Sequence, residues 1–205
     1  MIVASPRTLL IAGAAVVGVG LLAVGGWFWH SSGQHRAMSG YAAALTQAQS
    51  AQGAQAPPDA REAAIRGLES ALTQYSSGPG AAEVAYQLGN LRFEAQQYAQ
   101  ARGAWEMAMA QGATRTLKAL SLGGVAYTWE AERNYAKAVE AFKTALTGVG
   151  PKDFYYEELL LGLGRTQELA GQKTEAIATY RRALSELTQS RRAEEIRARL
   201  AALGA

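Results

Sequence analysis

The feature that most constrains this chain is a recurrence of small and aromatic side chains at an interval of 37 to 38 residues. Ala101, Ala138 and Ala176 stand at that interval. Each is followed one turn later by an aromatic (Trp105, Phe142, Tyr180) and then by another alanine (Ala108, Ala145, Ala183). Twelve residues before each leading alanine lies a further small residue, Gly89, Ala126 or Gly164. Spacings of three and four residues keep side chains on one face of an α-helix. Two helices joined by a short polar turn approach closely where both carry small residues, and the aromatic one turn on fills the gap toward the following pair. The same triplet in three registers therefore predicts helical hairpins stacked in series, each burying its apolar face on the next. The turns within the hairpins read EAQQYAQA, EAERNYAKA and LAGQKTEA.

The flanks extend this pattern. Ala64, Leu68 and Ala71 repeat the second-helix signature, with Ala64 lying 37 residues ahead of Ala101. A degenerate first hairpin is thus expected within 31–80. Its first helix would run from about Gln34 to Gln52, followed by a loop through Pro57-Pro58 and a second helix that Asp59 could cap. Three repeats then occupy 81–190, with longer loops at Gln111-Gly112 and around Gly148-Val149-Gly150-Pro151. Residues 191–205 read as a capping helix, Arg191 to Leu203, whose charged outer face ends the apolar core against water.

The N-terminal part is of another kind. Residues 8–29, TLLIAGAAVVGVGLLAVGGWFW, carry no charge. As a helix they would span roughly 33 Å, the thickness of a bilayer hydrocarbon core. Trp27, Phe28 and Trp29 stand where such a helix would leave the lipid. The segment therefore reads as a transmembrane helix (8–30) behind a short tail (1–7), and Arg7 with the α-amino group would hold that tail in the cytoplasm. A cleavable signal peptide ending near Ala23-Val24-Gly25 is the competing reading. Cleavage there would leave Trp-Phe-Trp exposed close to the new terminus. Ala14 and Gly18 form a small-xxx-small step, a common feature of such helices.

Composition narrows the function classes. The 20 Lys and Arg and 17 Asp and Glu give a net charge of +3 and are interspersed, whereas nucleic-acid binding needs a clustered basic face. With no cysteine, disulfides, thiolate metal sites and Cys nucleophiles are excluded. Both histidines, His30 and His35, follow directly on the apolar segment, and no HExxH, GxSxG or Walker-type loop occurs. The adjacent carboxylates Glu157-Glu158 and Glu194-Glu195 diverge by about 100° on a helix and read as solvated charge. The expectation is a binding protein, not an enzyme, with no cofactor, metal, nucleic acid or small-molecule substrate.

The triplet over residues 82–188 resembles the tetratricopeptide repeat (TPR). Departures are Ala85 where that family favours a bulky residue and Arg92 where it favours Tyr; Leu122, Trp129, Leu160 and Gln167 stand at the matching places of the next two copies. The resemblance implies an all-α fold: here, one transmembrane helix followed by a TPR-type hairpin solenoid with a C-terminal capping helix. It also implies a concave face lined by first helices that binds protein or peptide partners. In that register the inward residues are Tyr86, Asn90, Phe93 and Glu94, then Tyr127 and Glu130, then Leu161, Arg165 and Glu168. Aromatics mixed with carboxylates suit a peptide groove; packing between helices is the alternative for each. Of the family's carboxylate clamp only Asn90 is matched, since Tyr86 stands in place of the Lys.

Anchor, aromatic exit and TPR body together resemble the YfgM-like ancillary subunit of the SecYEG translocon. That likeness implies a single-pass protein of the bacterial inner membrane with its N-terminus cytoplasmic and its TPR domain periplasmic, acting as a chaperone-like adaptor at the translocon. A structural scaffold of an envelope complex (pilus, secretion or division machinery) is the alternative, and a secreted TPR protein a third.

Overall fold

A computed structural model describes residues 35–205 apart from Ala54 and Ser77. The tail, the apolar segment 8–29, its aromatic exit and His30 lie outside the described residues. Among the described residues no helix is long and apolar enough to cross a membrane.

The described residues form nine α-helices: α1 (35–50), α2 (Pro58–Gln74), α3 (Ala81–Glu94), α4 (Tyr98–Ala110), α5 (Arg115–Ala131), α6 (Tyr135–Ala145), α7 (Tyr156–Leu169), α8 (Lys173–Glu186) and α9 (Ala193–Ala202). Helices α1 and α2 run antiparallel, since Gly40 lies against the Tyr75 ring while Gly67 lies against Gln47. Pairs α3–α4, α5–α6 and α7–α8 follow, each second helix packing on its own first helix and on the first helix of the next pair. Helix α9 closes the series on α8.

Local chemistry sets the helix boundaries. Thr114 and Asn134 cap α5 and α6 by accepting the amides of Leu117 and Lys137 at 3.2 and 3.3 Å. Asp59 does not cap α2. The helix opens one residue earlier, at Pro58, whose fixed φ and missing N–H suit the first helical position. Asp59 instead sits in the first turn, where its charge opposes the positive end of the helix dipole. The turns within α3–α4, α5–α6 and α7–α8 share one geometry. Gln96, Arg133 and Gly171 adopt φ of 61°, 59° and 73° at equivalent points. The next residue in each case donates to a carbonyl five positions back, at 2.8 Å.

The small residues have a specific partner. A Cβ on Gly89 would come within 2.5 Å of the Trp105 ring, and one on Gly124 within 2.7 Å of the same ring. Trp105 of α4 is thus wedged between the first helices of two successive pairs. Phe142 meets Gly162 of the next pair, and Tyr180 meets Gly164 of its own. The sequence reading set Gly89 against Ala101; what occupies the space over Gly89 is the indole.

Among the described residues, three buried clusters result. One joins α1 to α4, from Ala37 to Ala108; a second joins α5 to α7 around Phe142 and Leu159; a third joins α7 to α9 around Tyr156, Tyr180 and Ile196.

Candidate functional site

A cleft of about 310 Å³ opens between α3, α5 and α7. Helix α3 supplies Tyr86, Asn90, Phe93 and Glu94, whose spacing places them on one face. Helix α5 supplies Leu120, Gly123, Gly124 and Tyr127, the two glycines making room where side chains would otherwise project. Tyr155, Glu158 and Leu159 form the α7 side, Trp105 reaches in from α4, and Gln52 stands at the end of the first hairpin.

The polar groups in this apolar cleft are mostly engaged. Trp105 Nε1 donates to Asn90 Oδ1 at 3.3 Å, and the Asn90 amide donates to Gln87 at 3.2 Å. The Tyr127 hydroxyl donates to Glu158 at 2.6 Å, and its ring meets Phe142 edge-on at 5.0 Å. Burial, then the Glu158 carboxylate, push the Tyr127 phenol well above its ordinary value, so it stays a neutral donor. Burial also raises Tyr86. The other oxygen of Glu158 accepts from Arg192 at 2.6 Å. Glu94 Oε2 accepts the Gly53 amide at 3.0 Å and pairs with Arg61 at 3.4 Å, while Oε1 accepts no hydrogen bond among the described residues. Tyr155 is buried, and its hydroxyl has no hydrogen-bond partner among the described residues. Next to it, Phe154 is 80% exposed and stacks edge-on against the Tyr155 ring at 4.9 Å.

Of the residues that the repeat register places inward, Tyr86, Asn90, Phe93, Glu94 and Tyr127 line this cleft. Glu130 and Arg165 lie beside it, paired across α5 and α7 at 2.9 Å, with Thr166 also donating to Glu130 and the Arg165 guanidinium 5.6 Å from the Tyr127 ring. Leu161 and Glu168 lie outside the lining of this cleft. Leu161 is buried in the cluster that holds Ile196 and Leu200 of α9. Glu168 accepts the Tyr180 hydroxyl and pairs with Arg199 of α9 at 3.2 Å. The capping helix therefore pairs with Glu168 and shares a buried cluster with Leu161. Asn90 thus spends its oxygen on Trp105 and one of its two amide protons on Gln87.

The sequence reading also missed residues. Glu158 is exposed, in keeping with solvated charge, but it also accepts from Tyr127 and Arg192. Tyr155 sits in a loop that periodicity does not describe. The Gly123-Gly124 pair inside a helix was a usable signal: each glycine costs a helix interior about 1 kcal/mol, which close packing must repay.

No protein-family model matches the chain, and no curated protein matches it. Fifteen chains of solved structures do. Two of them are a Podosopora anserina protein with nearly identical TPR-like repeats, assigned as a kinesin light chain, and a point variant of it. Each is 15% identical, with a TM-score of 0.55, covering 82% of this chain and 94% and 95% of its own length respectively. At that identity the likeness concerns the fold alone, and the fold is a TPR-like helical repeat.

Proposed function

We propose that this chain is a membrane-anchored protein-interaction module whose cleft between α3, α5 and α7 holds a segment of a partner protein. The observation that carries this reading is the cleft itself: apolar floor and walls, aromatic side chains from successive hairpins and a few polar groups, the make-up of a preformed ligand site. A TPR-like fold suits such a role. In this reading the protein binds and does not catalyse, and needs no cofactor or metal.

The finer reading is a chaperone-like adaptor at the protein translocon. Its support is the uncharged stretch 8–29 with its aromatic exit, and the resemblance of that arrangement to the translocon's ancillary subunit. The body would then face the periplasm of a bacterial inner membrane, behind a cytoplasmic tail.

Photo-crosslinking in membranes tests both levels. A crosslinker at Phe93, in the cleft, should capture many different secreted chains, whereas one at Lys143, exposed on α6, should not. A few fixed partners in constant ratio would replace the adaptor by a scaffold of an envelope assembly. Equal yields from both positions would refute the cleft as the binding site. Mass spectrometry of the mature protein should recover the N-terminal peptide intact; its loss would mean cleavage and a secreted protein.

A further inference from the structure

Resting on the reading of the cleft as a protein-binding site, we propose that its preferred occupant is a segment presenting an aliphatic or aromatic side chain beside a lysine or arginine. The cleft's volume lies at the lower end of the roughly 300–1,000 Å³ usual for ligand pockets, enough for one or two side chains. Phe93, Trp105, Leu120 and Leu159 offer an apolar bed, so burying a large apolar side chain there supplies the affinity.

Charge supplies the discrimination. Glu94 stands on the α3 wall and Glu158 on the α7 wall, and among the described residues no lysine or arginine lines the cleft. Arg61 and Arg192 pair with these carboxylates but are not part of the lining. Glu94 keeps one oxygen without a hydrogen bond among the described residues. A partner's ammonium or guanidinium meets that oxygen, while an acidic residue at the same place meets like charge.

The cleft thus offers an apolar bed for one side chain and an acceptor for a neighbouring cation.

The test uses the full chain in nanodiscs of zwitterionic lipid, with empty nanodiscs as control. Fluorescence anisotropy follows three short peptides, identical except for a central Leu-Lys, Leu-Glu or Ser-Lys pair. The Leu-Lys peptide should bind about tenfold more tightly than either of the others, and Glu94→Gln should shrink its advantage over Leu-Glu. Equal binding of Leu-Lys and Leu-Glu, with Ser-Lys weaker, overturns the charge preference and leaves the cleft as a protein site. Failure of all three peptides to bind overturns both.

Discussion

Gln96 and Arg133 occupy the left-handed backbone region at the same point of two successive hairpins where the third uses Gly171. Side chains other than glycine are disfavoured there by about 1 kcal/mol. Both are exposed, so neither loses packing on replacement. Arg133→Gly should therefore raise the unfolding free energy by about 0.5–1 kcal/mol in chemical denaturation; a lower stability would show that the arginine side chain contributes more than the strain costs. Two glycines inside helices make a second, paired prediction. Gly124→Ala drives a methyl into the Trp105 ring and should cost about 1–3 kcal/mol. Gly103→Ala, on the exposed face of α4 with nothing within 4 Å of the new methyl, should stabilise by up to about 1 kcal/mol. At this scale the sequence was partly legible. Gly89 and Gly164 declared themselves by spacing, but which side chain needed their space did not, because a helical repeat fixes faces and not rotamers. Tyr155 and Glu158 escaped for the same reason: their roles depend on where a loop and a neighbouring helix bring other atoms.

Among the elements, α9 is the shortest helix, with 10 residues. Ile196 and Leu200 are its buried residues, and they join Leu161, Tyr156 and Tyr180 in one cluster. Ile196 is fully buried, so Ile196→Ala should cost about 2–5 kcal/mol by cavity formation. Differential hydrogen exchange should show the loss concentrated in α7 to α9, and a loss spread evenly over α1 to α4 would contradict the division into clusters. The helix pairs were readable in advance because each obeys one period. Two element-level facts were not. The pattern did not show that Glu168 would pair with Arg199 of α9, or that Leu161 would share a buried cluster with Ile196. Nor did it show the path of the loop at 146–155, which is pinned by Arg115 bonding to Gly148 and Asp153 at 3.1 Å each. Such pins join residues more than thirty positions apart in sequence, beyond any local periodicity.

Across the whole molecule, phenols bonded to carboxylates recur at the joints between helices: Tyr127 with Glu158, Tyr156 with Glu186, Tyr180 with Glu168. Burial first, then the carboxylate, raises each phenol, Tyr156 from an ordinary value of 10.0 to about 12. Each fold-held proton is neutral in its effect below pH 10, where the unfolded chain also keeps it. Above that, the unfolded phenols ionise while the folded ones do not, so stability should fall between pH 10 and 12. The acid side runs the other way. Glu186, bonded by Tyr156, and Glu195, bonded by Arg192, are held below the usual carboxylate range, so their contribution is present above roughly pH 4.3 and lost below it. A melting temperature that is level from pH 6 to 9 and declines on both sides is the expected profile; no decline by pH 12 would mean that these phenols ionise as easily folded as unfolded. The seam between the first and second buried clusters is occupied by the Trp105 indole lodged between Gly89 and Gly124. Stretched from its two ends, the chain should therefore yield in a sawtooth of separate rips, and a single-molecule force trace should show a Trp105→Ala variant giving way at that joint under the lightest load.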